Sequence, residues 1–245
     1  MTWEGTVPAE VLERPSAPLG ADVDEPAPHD AAPRRWPRLL LRAGAGFVAF
    51  LLVGNGLILG STLWFRWATP AVAADAEGID NLHVVDERLL RGAAPSEEGL
   101  RDLAALGVTT VVDLRAEADL ADRGDLLDQL GIERFHLPIR DGQLPTEDQA
   151  GELLRIVDEA DGKVFLHCGA GVGRTGALTA WYLNATGQAD GTAALRHNLS
   201  VGPPSLEQIA FSVSTADGSY DRPSVGVTVV SRVLDGPRRI WHNLT

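Results

Sequence analysis

The stretch 164–176, Val-Phe-Leu-His-Cys-Gly-Ala-Gly-Val-Gly-Arg-Thr-Gly, constrains this chain more than any other. An apolar run enters a glycine-punctuated turn and leaves it into the helix-forming residues 177–183, so the segment reads as strand, tight turn, helix. Gly169, Gly171 and Gly173 let the backbone curl until successive N–H groups converge at a helix N-terminus, where the helix dipole also favours negative charge. Such a turn is an anion cradle. Cys168 opens it and Arg174 closes it. Thiols beside such dipoles and a cation ionise well below their usual value of about 8.5, and a planar guanidinium grips two phosphate oxygens at once. Thiolate, cradle and guanidinium together suit transfer of a phosphoryl group to sulfur.

Three other readings of the same residues are weaker. Residues 171–176 satisfy G-x-G-x-x-G after a strand, but the strand ending in an acid that a dinucleotide fold needs does not follow. A nucleotide phosphate loop fails at both ends, with Cys168 in place of its first glycine and Arg174 in place of its lysine. A buried inert cysteine leaves the glycines and Arg174 without a purpose.

His167, Cys168, Arg174 and Thr175 meet the pattern His-Cys-x5-Arg-[Ser/Thr], and on these residues the chain resembles the cysteine-dependent protein-tyrosine and dual-specificity phosphatases. Residues 90–115 are also similar to the opening of bacterial dual-specificity-like domains. The resemblance implies that Cys168 is the nucleophile. Gly169, Ala170, Gly171, Val172 and Gly173, with Arg174, would bind the phosphoryl group; Thr175 would ease departure of the thiolate, and His167 would hold the loop from behind. It further implies an aspartate proton donor on a separate loop. Asp141 suits that role, after a strand end and on a Gly/Pro segment 27 residues before Cys168. Asp148 is the alternative donor, although it reads equally well as a first-turn acid of a helix. Asp113 and Arg115, at a strand end, read as a structural ion pair. No cofactor is implied, and without a C-x-x-C or H-x-x-H cluster no metal is expected. The single cysteine excludes both an internal disulfide and a sulfur relay.

Inside the loop, Gly169, Ala170 and Val172 add no charge for further phosphates, which favours a monophosphate ester, and the family resemblance implies a phosphoprotein as its carrier. Inositol phosphates, phospholipid head groups and other small molecules stay open as substrates. The alternative from another class is an inactive membrane-tethered module that binds phosphorylated ligands. A formal net charge of −13 argues against nucleic acid as a partner.

The remainder of the chain divides by composition. Residues 1–33, rich in proline and acids, read as a disordered cytoplasmic tail. Residues 34–67 form a basic flank and a transmembrane helix, because 43–65 carry no charge, are long enough to cross a bilayer, and are framed by Trp36, Trp64 and Trp67. Arginines 34, 35, 38 and 42 precede the span and only Arg66 follows closely, which places the N-terminus in the cytoplasm and the catalytic domain outside it. Ala71-Val72-Ala73 offers a cleavage site, but so long a tail favours an uncleaved anchor. Gly56 and Gly60 give a weak hint of homodimerisation through the span. Residues 68–78 read as a linker and 79–245 as the phosphatase domain.

Within that domain, strands are expected over 82–85, 88–91, 108–114, 132–139 and 164–167. Helices are expected from Ser96 to Leu106, from Glu117 to Leu130, after Thr146, after Gly173, and from caps at Asp190 and Ser205. The alternation predicts an α/β fold, a central mostly parallel sheet flanked by helices and preceded by one transmembrane helix, with chemistry at the carboxyl ends of the strands. Residues 224–234 are β-branched and ambiguous by pattern; the family resemblance implies a helix there.

Overall fold

The computed structural model describes residues 36–69, 72, 74, 76–117 and 124–242. The expected tail, Arg34 and Arg35, and the cleavage site at Ala71 and Ala73 lie outside the described residues. The chain divides into two units, residues 1–43 and 44–245. Of the first, the opening turns of helix α1 (Trp36–Ala68) are described. At 1.5 Å per residue α1 is about 50 Å long, more than the roughly 30 Å of a bilayer's hydrocarbon. An 18-residue window within its segment Arg38–Ala68 has a mean hydropathy of 1.9, and Leu52, Val53 and Leu57 are exposed, so its length and composition are those of a candidate span.

The second unit carries the five-stranded sheet. Its strands are β1 (His83–Val84), β2 (Leu89–Gly92), β3 (Val108–Arg115), β4 (Glu133–Ile139) and β5 (Lys163–His167), in the order β1-β2-β5-β3-β4. Only the β1–β2 pair is antiparallel. Central β5 pairs with β2 through Gly92 opposite His167 and with β3 through Asp113 opposite His167. Being covered on both faces, it is apolar at every position between its ends, as a parallel strand must be.

Side chains that alternate along β5 feed two cores. Val164 and Leu166 join Val112, Leu114, Leu153 and Leu178 on one face, while Phe165 joins Leu90, Val111 and Leu103 on the other. Helices α2 (Glu97–Ala105) and α3 (Gly124–Leu130) flank the Phe165 side. Helices α4 (Glu147–Glu159), α5 (Gly173–Ala185), α6 (Gly191–Val201) and α7 (Leu206–Ser214) build the other. Residues 174–184 of α5 are all buried, which is why that helix shows no polar face in the sequence.

Helix starts follow the caps read from the sequence. Ser96 accepts from the Gly99 N–H, Asp190 from the Ala193 N–H, and Thr146 with Gln149 and Ser205 with Gln208 form reciprocal capping boxes. The last helix, α8 (Val225–His242), runs beyond the expected end at Leu234. Its Ser231, Leu234 and Asp235 are buried, while Val225 and Val229 face outward. Midway along α1, the Asn55 side chain donates to the Leu234 carbonyl at 3.2 Å.

The described residues of the stretch 68–78 lie along the domain. The Val84 N–H donates to the Val72 carbonyl at 2.9 Å, and the Ser96 N–H donates to the Gly78 carbonyl at 3.0 Å.

Candidate active site

The loop from Cys168 to Val172 leaves the carboxyl end of β5 and turns directly into α5. Its carbonyls are held from outside. The Ala94 N–H donates to the Gly169 carbonyl at 3.0 Å, the Asn81 side chain to the Ala170 carbonyl at 2.9 Å, and the Arg91 guanidinium to the Gly171 carbonyl at 2.8 Å. In a planar trans peptide the N–H points opposite to the carbonyl. Carbonyls pinned outward therefore turn the N–H groups of Ala170, Gly171 and Val172 inward, over Cys168. Asn81 adopts a left-handed φ of 53°, unusual for a non-glycine residue, where it makes this bond. Gly171, at φ 71°, lies so close to β2 that a Cβ would stand 2.3 Å from the Gly92 carbonyl carbon.

Cys168 is buried, as is His167, whose Nδ1 lies 3.2 Å from the Cys168 carbonyl and 3.9 Å from Asp113. A carbonyl only accepts, so Nδ1 carries the proton in that bond. Thr175 is fully buried and its hydroxyl has no hydrogen-bond partner among the described residues. At the next residue, the Asn198 side chain fills the space beside Gly176, where a Cβ would stand 1.8 Å from the Asn198 Oδ1.

Arg174 is buried beneath the rim. Its Nη1 and Nη2 each donate to Glu117 at 2.8 Å, Nη1 also donates to the Ile139 carbonyl at 3.1 Å, and Asp141 lies 3.5 Å from Nη2. Glu117 thus occupies the outer edge of the fork, while Nε is buried without a partner among the described residues. Hydrogen bonds from Arg174 hold the Glu117 carboxyl below the usual carboxylate range.

The structure brings His167, Cys168, Gly169, Ala170, Gly171, Val172, Gly173, Arg174, Thr175 and Asp141 to one end of the sheet. Asp148 instead sits in the first turn of α4, with Glu147 beside it. Asp113 and Arg115 are ion-paired at 2.7 Å, as the sequence suggests. Burial works to raise the Asp113 carboxyl, but the bonds from Arg115 and the charge of His167 bring it below its ordinary value.

Three residues were not legible as part of the site. Glu117 was expected to open a helix, yet the described helix begins at Gly124, and Glu117 stands in a turn where Arg174 captures its carboxylate. Asn81 carried no signal. Arg91 carried one, being an arginine inside the apolar strand Leu89-Leu90-Arg91-Gly92, where a buried cation needs a reason.

A thiol beneath converging N–H groups, opposite a buried guanidinium and at the carboxyl end of a central parallel strand, places the domain among the cysteine-dependent phosphatases. Residues 67–216, more than half of the chain, match the family model described as DSP-PTPase phosphatase fused to NAD+ kinase, and the chain belongs to this DSP-PTPase family. It is 32% identical over 152 residues to the dual specificity protein phosphatase TpbA of Pseudomonas aeruginosa, an alignment covering 62% of this chain and 66% of that protein. The crystal structure of P. aeruginosa TpbA superposes with a TM-score of 0.50 at 25% identity, covering 68% of this chain and 98% of that one. The core catalytic domain of the PP-IP phosphatase SIW14 from Saccharomyces cerevisiae shares the fold at a TM-score of 0.51 and 15% identity, with 67% and 96% of the two chains covered.

Proposed function

We propose that this protein hydrolyses phosphomonoesters through a phosphocysteine intermediate, acting on phosphotyrosine or other phosphorylated residues of proteins. The observation that carries the reading is the outward pinning of the loop carbonyls around Cys168, with Arg174 set beside it and Asp141 within 3.5 Å of Arg174.

In the first step the Cys168 thiolate forms a bond to phosphorus as the bond from phosphorus to the ester oxygen breaks, and Asp141 gives that oxygen its proton. The inward N–H groups and the Nε side of Arg174 hold the three non-bridging oxygens while charge shifts onto them. Glu117 keeps the guanidinium in plane and turned toward the loop. In the second step Asp141, now ionised, takes a proton from water as the water oxygen bonds to phosphorus. The P–S bond breaks, and the Thr175 hydroxyl donates to the departing thiolate. Inorganic phosphate leaves and the starting state returns. His167 braces the loop through its bond to the Cys168 carbonyl.

The division into tail, spanning helix, linker and catalytic domain belongs to the same proposal. The arginines on the N-terminal side of α1 support a cytoplasmic N-terminus and an extracytoplasmic catalytic domain.

The test uses the full chain in detergent with p-nitrophenyl phosphate, phosphotyrosyl peptides and inositol phosphates. Turnover should be blocked by vanadate, insensitive to chelator and abolished in Cys168→Ser. Asp141→Asn should slow alkyl phosphates far more than p-nitrophenyl phosphate, because only a poor leaving group needs the proton. Equal slowing of both would move the donor role to Asp148, and preference for inositol phosphates over peptides would overturn the protein substrate. Protease added to intact spheroplasts should reach the domain; complete protection would reverse the orientation.

A further inference from the structure

Two buried arginines border the Cys168 loop, and their surroundings differ. Arg174, on α5, is met by the carboxylates of Glu117 at 2.8 Å and Asp141 at 3.5 Å, so its charge is already offset before any substrate arrives. Arg91, on β2, is wholly buried, and among the described residues no carboxylate pairs with it. Its Nη2 donates to the carbonyls of Gly171 at 2.8 Å and Val172 at 3.4 Å, while Nε and Nη1 are buried without partners among the described residues. Burying a guanidinium with so few bonds is costly unless an anion compensates. Burial pushes Arg91 down to about 10, and the opposing influence is the charge of Cys168.

The other ionisable neighbours do not supply that anion. His197 of α6 and His83 of β1 are its ionisable neighbours. Burial, then the charges of Arg91 and His83, push His197 down to about 3, so it is neutral and adds no negative charge. His167 of β5 faces Asp113 of β3, whose carboxylate is spent on Arg115.

We propose that Arg91 is a positioning residue for Cys168. From behind the loop it fixes two outward carbonyls, and it places there a buried cation that no described carboxylate offsets. The resting thiolate is then held by Arg91, and Arg174 serves the phosphoryl group. The turnover readout rests on the phosphocysteine reading above; the alkylation readout does not, so failure of one is separable from failure of the other.

The experiment follows the rate of iodoacetamide alkylation of the single cysteine in the full chain, in detergent, across about pH 4–9. Arg91→Gln keeps a donor for the Gly171 carbonyl but removes the charge. Its alkylation curve should move to higher pH by about one unit or more, a loss of roughly tenfold in rate near pH 6, and the acid limb of kcat/KM should move with it. Arg91→Lys keeps the charge and loses the fork: its curve should stay close to wild type, while vanadate inhibition weakens severalfold because one ammonium cannot hold both carbonyls. Arg174→Gln should abolish turnover yet move the curve less than Arg91→Gln does. A merely structural Arg91 would lower the melting temperature of both Arg91 variants and leave the curve in place, which overturns the proposal. A larger shift in Arg174→Gln overturns it as well. Should Arg91→Gln not fold, Arg91→Lys decides: a curve displaced upward despite its charge refutes the assignment.

Discussion

Replacing Gly171 by alanine tests whether the close approach of the loop to β2 sets the catalytic geometry. The residue is at φ 71°, where a side chain costs about 1–2 kcal/mol. A Cβ there would lie 2.3 Å from the Gly92 carbonyl carbon and 2.5 Å from the Ala93 nitrogen, both main-chain atoms with little room to yield. Ordinary carbon contacts are roughly 3.5–4.0 Å, so the loop must withdraw by about 1 Å, at an overpacking cost of about 1–3 kcal/mol. Together these predict a loss of roughly 2–5 kcal/mol, or about 5–15 °C in melting temperature for a domain of this size. The same withdrawal breaks the bond from Arg91 and misdirects the N–H groups, and a misplacement of about 1 Å can cost 10²-fold in kcat/KM. Gly131→Ala is the matched control, with φ 67° and nothing within 4 Å of its Cβ position. It should carry the backbone cost of about 1–2 kcal/mol with turnover intact. Thermal melts and p-nitrophenyl phosphate kinetics on the three proteins decide. Equal melting temperatures for the two variants, with kcat/KM of Gly171→Ala within a few-fold of wild type, would refute the reasoning.

Two further outcomes concern ionic groups. Glu117→Gln removes the charge that aligns Arg174 but keeps the shape; kcat/KM should fall by at least about tenfold, as expected when a hydrogen bond between charged groups is weakened, with little change in melting temperature because Glu117 is half-exposed. Unchanged kinetics would show that Ile139 and Asp141 suffice to orient the guanidinium. His197 has a lowered value of about 3 in the folded chain against an ordinary 6.5, so between those limits the unfolded chain binds more protons. Stability should therefore be complete above about pH 6.5 and decline on acidification, by roughly 2 kcal/mol at pH 5. Thermal melts of His197→Gln at pH 7.5 and 5 should show a smaller difference than wild type, and an identical slope would place the acid sensitivity elsewhere.

Legibility followed the range over which each signal acts. The strand, glycine turn and helix around Cys168 are contiguous, so local pattern sufficed for them, as it did for the caps at Ser96, Thr146, Asp190 and Ser205. Sheet order was hidden, because which strand lies beside β5 depends on crossovers that leave no mark on any one strand. Glu117 was misread for a related reason. Helix-forming residues surround it, but a bidentate bond to a guanidinium 57 residues away outweighs a propensity worth a few tenths of a kcal/mol. Pattern alone left residues 224–234 undecided, since β-branched residues fit either state. In α8 the smaller polar residues Thr228 and Ser231 face the protein, where they bond Glu207, and the valines at 225 and 229 face outward, a polarity opposite to that of an ordinary surface helix.

Chain order gives the outward pinning of the loop a mechanical side. Asn81 and Ala94, which grip the Ala170 and Gly169 carbonyls, flank the first strand pair after α1, and the segment between is stitched to β1 at Val72 and Val84. A pull passed along the chain after α1 enters the sheet through these bonds, a few residues from Asn81. Tension would reach the peptide planes around Cys168 before it reached β3, β4 or the helices behind them.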